Sequence, residues 1–218
     1  MENKKIQQPA IIAVGNGGFN LASAIMDSAV FDNPQLIIVD SDKDDIESKK
    51  DGRRSVTTKY VLVEPAIDTK DDVDVSGIVP DDVDIVVICS TLGGKTGSCY
   101  APLIAMDAQL KGKQVYSLCS LPFMFESALR VKRAKKAAEK LEIASNIFMI
   151  QNNDKLQELN AITVAEIDRT MIKLFKEVME GLDFPMRTRA LLQDRFDPIS
   201  ITFSELSKEE RIAKFDKE

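Results

Sequence analysis

Short apolar runs alternate with helix-like segments along the first 150 residues of the chain. Most runs are unbroken and β-branched, which is typical of parallel strands covered by helices on both faces. Such alternation implies right-handed crossovers and an α/β fold with a doubly wound, mostly parallel sheet. The predicted strands are residues 10–14, 36–40, 60–63, 83–89, 115–119 and 146–150, with helices at 19–30, 101–110 and 127–143.

The pattern changes after the last of these strands. Residues 154–182 contain no proline and no glycine before Gly181, and their apolar residues recur at helical spacing. This predicts one long helix towards the C-terminus, with Gly181 suited to its C-cap. A short helix is expected at 186–197 and a charged final helix at 206–215.

Composition excludes several classes of function. The 218 residues include no histidine, which rules out histidine-dependent triads and histidine-ligated zinc. A net charge of −6 argues against non-specific binding to nucleic acid. The three cysteines lie far apart in apolar runs and are expected to be reduced, small core residues. Because no apolar run is long enough to span a bilayer or form a signal peptide, we expect a cytoplasmic protein.

The first strand runs directly into a glycine-rich turn, residues 15–20, and then into a helix. A helix N-terminus offers free N–H groups and a positive dipole end to a phosphate. The second strand ends in Asp40, where a dinucleotide-binding protein has its ribose-binding acid. Asn20 stands where that fingerprint needs a third glycine or alanine, so a structural turn remains an alternative to a nucleotide site.

A second glycine-rich segment, residues 90–98, follows the strand predicted at 83–89 and precedes a helix. A P-loop through Lys95 is excluded, because its first glycine would fall on Cys89 inside the strand. Two phosphate cradles at one edge of a sheet predict a nucleotide across the carboxyl ends of the strands. We therefore expect a Cβ at Gly17 or Gly94 to occupy phosphate space and leave the fold largely intact.

These segments resemble motifs of the tubulin/FtsZ superfamily. Residues 93–99 resemble the tubulin signature Gly-Gly-Gly-Thr-Gly-Ser/Thr-Gly, and residues 15–20 resemble the first phosphate loop. Three more segments follow the order of the family: residues 40–42 resemble Asn-Thr-Asp, residues 121–126 resemble Lys-Pro-Phe-Pro-Phe-Glu, and residues 152–156 resemble Pro-Asn-Asp-Lys-Leu. The resemblance implies an FtsZ/tubulin-like nucleotide-binding domain over residues 1–182. It also implies an extension over residues 183–218 and no second domain.

The resemblance further implies that the chain binds the guanine nucleotides GTP or GDP with Mg²⁺. A carboxylate such as Asp168 suits guanine because it accepts from both N1–H and the exocyclic amine. Purely structural roles remain as alternatives: a solvated helix position for Asp168, a first-turn acid for Glu126, and the polar face of one helix for Arg130. The nucleotide-binding residues that the resemblance implies are Gly15, Asn16, Gly17, Gly18, Asn20, Asp42, Gly93, Gly94, Lys95, Thr96, Gly97, Ser98, Glu126, Arg130, Asn153 and Asp168.

The chain also departs from the family pattern. Lys95 replaces a glycine, so a side chain stands where the backbone of the family approaches phosphate. Two effects remain open: it neutralises phosphate charge, or it crowds the site. Residues 57–69 lack the Gly-Ala-Gly-Asn-Pro loop that senses the third phosphate. Thr163 stands where the family has an aromatic residue stacked on guanine, and we expect this to weaken base binding by roughly 1 kcal/mol or more.

Residues 200–206 resemble the family loop Asn-Val-Asp-Phe-Ala-Asp-Val, which enters the site of the next subunit and polarises the attacking water. Thr202 and Glu205 replace its two acids, so the resemblance implies slow GTP hydrolysis completed by a neighbour in a homo-oligomer or filament. Docking onto a partner protein is the other implied association. Two alternatives remain: a non-hydrolysing scaffold or switch in cell division or membrane remodelling, and an NAD(P)-dependent oxidoreductase.

Overall fold

A computed structural model describes residues 9–50, 58–66, 73–154, 164–180 and 199–217. Its strands are β1 (Ala10–Val14), β2 (Gln35–Asp40), β3 (Thr58–Leu62), β4 (Ile85–Thr91), β5 (Gln114–Ser120), β6 (Ile147–Gln151) and β7 (Ile199–Phe203). Its helices are α1 (Gly15–Asp27), α2 (Lys43–Lys50), α3 (Lys95–Leu110), α4 (Ala128–Ala144), α5 (Val164–Glu180) and α6 (Lys208–Phe215).

All seven strands form one sheet in the order β3-β2-β1-β4-β5-β6-β7. Strands β1 to β6 are parallel, and β7 runs antiparallel to β6. The predicted doubly wound, mostly parallel sheet is therefore confirmed. The strand order reverses between β1 and β4. In open α/β sheets, the carboxyl edge at such a reversal is where a crevice between the two connections forms.

Helices cover both faces of the sheet, which explains why the strands are apolar without interruption. Side chains of α3, α4 and α6 form one core cluster with strand residues such as Ile12 and Ile88. Side chains of α1 and α5 form the other cluster with residues such as Ile11 and Val87. Successive strand residues point to opposite faces, so both sets of side chains must be apolar.

Two helices begin earlier than their periodicity predicts. α1 begins at Gly15 and α3 at Lys95, because the glycine-rich turns are themselves the first turns of the helices. α2 was not predicted, although its signals are present in the sequence. The carboxylate of Asp42 accepts hydrogen bonds from the backbone N–H of Asp44 (2.9 Å) and Asp45 (3.3 Å), and lysines occupy the last turn.

The sequence predicts that a long helix ends the fold, and the structure differs from this prediction. The 17-residue α5 precedes β7, and the last described helix, α6, has eight residues. Residues 199–203 form a strand because they pair with β6, with Ile199 and Ile201 buried and Ser200 exposed. The predicted helix at 186–197 and the proposed cap at Gly181 lie outside the described residues.

Candidate functional site

The N-termini of α1 and α3 lie side by side where the strand order reverses. A Cβ built on Gly15 would lie 3.6 Å from the backbone nitrogen of Gly97. The N-cap residues Val14 and Gly94 supply no side-chain hydrogen bond, and neither first turn contains an acid. By contrast, α4 and α6 are capped by serine side chains. The uncapped first turns of α1 and α3 leave N–H groups for an anion.

The glycines of the two turns have different roles. A Cβ on Gly94 would meet no described atom within 4 Å, so this position faces open space. A Cβ on Gly17 would lie only 2.8 Å from the Cβ of Thr91, and one on Gly18 would overlap the carbonyl oxygen of Cys89. The expectation that a side chain at Gly17 leaves the fold intact is therefore wrong, because α1 needs this glycine to pack against β4.

Buried polar side chains hold the Gly93 turn from inside. Gly93 has a φ of +99°, which favours glycine, and its N–H donates to the Oγ of Ser98 at 2.7 Å. Its carbonyl accepts from the guanidinium of Arg133 at 3.1 Å. The hydroxyl of Ser98 thus supports the turn. Sequence reasoning missed Arg133, since it lies within a basic run that resembles one solvated helix face.

The end of β2 is organised around a buried ion pair. The ammonium of Lys49 lies 3.2 Å from the carboxylate of Asp40, and both side chains are 5% exposed. Asp40 also accepts from the backbone N–H of Ser41 at 2.8 Å, while Asp42 caps α2. The acid that a dinucleotide site would use for ribose is therefore already paired, which removes the main sequence argument for an NAD(P) enzyme.

Polar side chains of both turns lie at the same edge of the sheet. The hydroxyl of Thr96 lies 2.6 Å from that of Ser41 and links α3 to the end of β2. Lys95, at the first position of α3, is exposed and makes no polar contact among the described residues. Asn16 and Asn20 on α1 are also exposed.

The loops after β5 and β6 bring three further predicted residues to the same edge. The carboxylate of Glu126 accepts from the backbone N–H of Phe123 at 2.9 Å and pairs with Arg130 at 3.1 Å. Asn153 accepts from the side-chain amide of Gln151 at 2.8 Å. The two loops are joined by Asp154, which accepts from the backbone N–H of Met124 at 2.7 Å.

Asp168 lies on α5, the helix that packs against α1. Its side chain is half-buried and has no hydrogen-bond partner among the described residues, and burial raises the pKa of its carboxyl group. A partly desolvated carboxylate suits a ligand that offers hydrogen-bond donors. Thr163, the expected replacement for the stacking aromatic, lies outside the described residues.

Thr202 and Glu205 lie at the opposite edge of the sheet. Because β7 is antiparallel, Phe203 pairs with Ile147 at the amino end of β6, and the N–H of Ser204 donates to the carbonyl of Asn146 at 2.9 Å. Glu205 follows there and is exposed. At about 3.3 Å per residue, the five residues of β6 place this edge about 16 Å from the carboxyl edge.

Arg211 of α6 fixes the segment that carries Glu205. It is 1% exposed, and its guanidinium donates to the carbonyls of Ser204 (3.3 Å) and Leu206 (3.1 Å) on either side of Glu205. It also donates to the carbonyls of Ile143 (2.5 Å) and Ser145 (2.8 Å) at the end of α4. Sequence reasoning missed this residue, which appears there as one charge in a charged helix.

The described residues contain no group of three or more acidic or cysteine side chains that could hold a metal ion. Mg²⁺ in nucleotide sites takes many of its ligands from phosphates and water. The hydroxyls of Ser41 and Thr96 could contribute to binding an Mg²⁺ ion that is held mainly by a nucleotide. They are too few to bind the ion with protein ligands alone. In the described part of the chain, no helix is long and apolar enough to cross a membrane.

A doubly wound sheet with two uncapped, glycine-bearing helix N-termini at its switch point defines a nucleotide-binding α/β protein. Residues 9–161 match the family model described as the Tubulin/FtsZ family, GTPase domain. Because this match covers more than half of the chain, the chain belongs to the tubulin/FtsZ family.

Known relatives agree with this assignment. The cell division protein FtsZ of Aquifex aeolicus is 25% identical over 206 residues, which are 89% of this chain and 56% of the relative. FtsZ of Mycoplasmopsis pulmonis is 39% identical over 75 residues, 34% of this chain and 19% of the relative. The chain thus spans about half the length of the first of these relatives and a smaller part of the second.

Solved structures show the same fold. The empty FtsZ dimer of M. jannaschii superposes with a TM-score of 0.62 at 18% identity, covering 84% of this chain and 57% of that one. The GDP-bound CetZ1 monomer of Haloferax volcanii gives a TM-score of 0.59 at 19% identity, covering 84% and 63%.

Proposed function

We propose that the chain binds GTP and GDP at the carboxyl edge of its sheet, with Mg²⁺ held mainly by the phosphates. In this proposal it is a cytoplasmic protein that associates head to tail and hydrolyses GTP slowly in a site completed by a neighbouring subunit. The observation that carries the proposal is the contact between the uncapped N-termini of α1 and α3, at Gly15 and Gly97. Family membership supports the guanine nucleotide.

Charge and space at this edge favour a polyphosphate. Each helix N-terminus contributes about half a positive charge, and Lys95 adds a full one. Gly94 leaves room for a ligand to approach the backbone. In this proposal, the backbone N–H groups orient the phosphates, and Asp168 accepts from N1–H and the exocyclic amine of guanine.

Hydrolysis in the proposal needs two subunits. Glu205 lies at the edge opposite the glycine turns, and the length of β6, about 16 Å, separates the two edges, so it cannot reach a nucleotide in its own subunit. Stacking subunits head to tail would bring Glu205 of one next to the turns of another. Arg211 holds the Glu205 segment ready for this contact.

Binding is tested by identifying the nucleotide that co-purifies with the full chain and by titrating a fluorescent GTP analogue against ATP. Displacement by GTP at much lower concentrations than by ATP supports the proposal. Equal displacement by both, or no binding, contradicts it.

Hydrolysis is tested by measuring phosphate release across a series of protein concentrations. Specific activity should rise with concentration, and Glu205→Ala should remove this rise with little change in GTP affinity. Glu209→Ala, which changes an exposed acid on α6, is the matched control. Activity that does not vary with concentration or with Glu205→Ala would contradict the shared site.

A non-hydrolysing nucleotide-dependent scaffold is the second candidate function. It is favoured by Thr202, which pairs with Phe148 in the strand ladder and carries a hydroxyl in place of an acid. Glu205 is then the only carboxylate available for water activation in the resembling loop. Nucleotide-dependent association without any phosphate release would support this candidate.

A further inference from the structure

We propose that Gln151 is a positioning residue that determines base specificity by fixing the orientation of Asn153. In this arrangement Asn153 presents its NH₂ donors to the base, and so selects purines with a carbonyl at position 6 over adenine. The inference rests on the proposed nucleotide site and names a residue outside the segments that carry the family resemblance.

Gln151 is a buried polar residue at the functional edge of the sheet. It is the last residue of β6 and is 0% exposed. Its side-chain Nε2 donates to the Oδ1 of Asn153 at 2.8 Å, while its Oε1 is buried and has no hydrogen-bond partner among the residues that the structure describes. Its backbone carbonyl accepts from the N–H of Leu121, which begins the loop carrying Glu126.

A buried glutamine with an unpaired oxygen is unfavourable for folding, because the oxygen has lost its hydrogen bonds to water. An aliphatic residue would fill the end of β6 without this penalty. What Gln151 provides in return is a fixed orientation for Asn153, since the bond to its Nε2 engages the Oδ1 of that side chain.

The orientation of Asn153 has a chemical consequence. An asparagine amide has one accepting oxygen and an NH₂ group with two donors. The bond to Gln151 engages one lone pair of the Oδ1 and fixes the amide, so the NH₂ group keeps both of its donors for a ligand. Guanine and hypoxanthine present acceptors, O6 and N7, along their major-groove edge, whereas adenine presents an amino donor at position 6. A fixed Asn153 therefore pairs with the first two bases and opposes adenine.

The first test replaces Gln151 by leucine and measures competition of GTP, ITP and ATP against a fluorescent GTP analogue on the full chain. Gln151→Leu should lower the preference for GTP over ATP by about tenfold, the effect of a lost hydrogen bond to a buried group. The ratio of GTP to ITP should stay unchanged, because hypoxanthine keeps its O6. A general loss of structure would instead weaken all three nucleotides together.

The chain offers a matched control at the other edge of the sheet. The Nε2 of Gln109 donates to the Oδ1 of Asn146 at 2.7 Å, and Gln109 is 8% exposed. Gln109→Leu removes the same kind of amide pair far from the proposed site. It should leave both nucleotide ratios unchanged, and an equal effect of Gln109→Leu would overturn the inference.

A second variant keeps the test decisive if Gln151→Leu does not fold. Gln151→Glu has nearly the same shape but replaces the NH₂ donor with an oxygen, so Asn153 should turn its NH₂ group inward and its oxygen towards the base. The GTP-over-ATP preference should then fall at least as far as in Gln151→Leu. Retention of the full preference in Gln151→Glu would overturn the inference.

A double mutant shows whether Gln151 acts through Asn153. Asn153→Ala should cause the same loss of GTP-over-ATP preference, and adding Gln151→Leu should cause no further loss. Additive losses would overturn the inference. If the unchanged protein shows no GTP preference at all, the proposed function fails, which is distinct from failure of the Gln151 assignment alone.

Discussion

The hydroxyl of Ser41 lies 2.6 Å from the hydroxyl of Thr96, so the end of β2 is joined to the start of α3. Strand β1 lies between β2 and β4 in the sheet, and the bond therefore passes over the turn that begins at Gly15. This link holds the two glycine-rich turns in one arrangement. It also leaves one hydroxyl hydrogen of the pair available to a phosphate oxygen.

Removal of this link should weaken nucleotide binding without unfolding the protein. Thr96→Val keeps the shape of the side chain but loses the hydroxyl, and we expect about tenfold lower GTP affinity in a fluorescence titration. Ser41→Ala should have a similar effect, and the double mutant should lose less than the sum of both. Strictly additive losses would show that the two hydroxyls act independently.

Two glycines should separate binding from stability. Gly94→Val places its side chain in open space at the ligand side, so we expect GTP binding to be lost while the melting temperature stays near that of the unchanged protein. Gly18→Val places a Cβ against the carbonyl oxygen of Cys89, so it should lower the melting temperature strongly. Calorimetry and titration with a fluorescent GTP analogue check both. Normal GTP affinity in Gly94→Val would contradict the phosphate role of the α3 turn.

The ionised side chain of Asp168 should lower the free energy of unfolding of the nucleotide-free protein and strengthen its binding of GTP. Burial raises the pKa of its carboxyl group, so the folded state binds the proton more tightly than the unfolded chain. Its contribution to the free energy of unfolding therefore falls as the pH rises from about 3.9 through the raised pKa. At pH 7, Asp168→Asn should melt at a higher temperature without nucleotide, and this gain should vanish at low pH.

The same Asp168→Asn variant should bind GTP more weakly, because an amide cannot accept from both guanine donors. Asp216→Asn, which changes an exposed acid on the chain after α6, is the control for loss of one charge. A lower melting temperature for Asp168→Asn at pH 7 would contradict the desolvation argument.

A shared catalytic site should allow complementation between two inactive variants. Glu205→Ala keeps an intact nucleotide site, and Gly94→Val keeps an intact Glu205. Neither should release phosphate rapidly alone, whereas a mixture should recover activity that rises with total concentration. The absence of recovery, in a mixture shown to associate, would argue that both groups act within one subunit.

Arg211 should be the most important single side chain for the stability of the C-terminal segment. Arg211→Met leaves four carbonyl oxygens without their donor, and we expect the free energy of unfolding to fall by about 3 kcal/mol or more. Lys214→Met, an exposed position on the same helix, should change it by less than about 0.5 kcal/mol. Urea titration of both variants measures the difference. Equal free energies of unfolding for the two variants would contradict a stabilising role of the Arg211 hydrogen bonds.

Most of the sheet could be predicted because its signal is local. Both faces of β1 and β4 are buried, so nearly every residue in them is apolar and the runs stand out from the helices between them. Helix starts were less accurate, because the glycines that end the apolar periodicity also form the first turns of α1 and α3. Strand β7 was not predicted, because its five residues form a strand only through their pairing with β6.

The sequence by itself determined the doubly wound sheet, the two glycine-rich turns after β1 and β4 and the family of the chain, since these depend on residue types at short spacing. Only the tertiary structure decided that Asp40 pairs with Lys49, that Arg211 clamps the Glu205 segment and that Gln151 holds Asn153. It also placed Glu205 at the edge opposite the glycine turns. The physical reason is that hydrogen bonds and ion pairs join side chains without regard to their separation along the chain, so folding selects the partners.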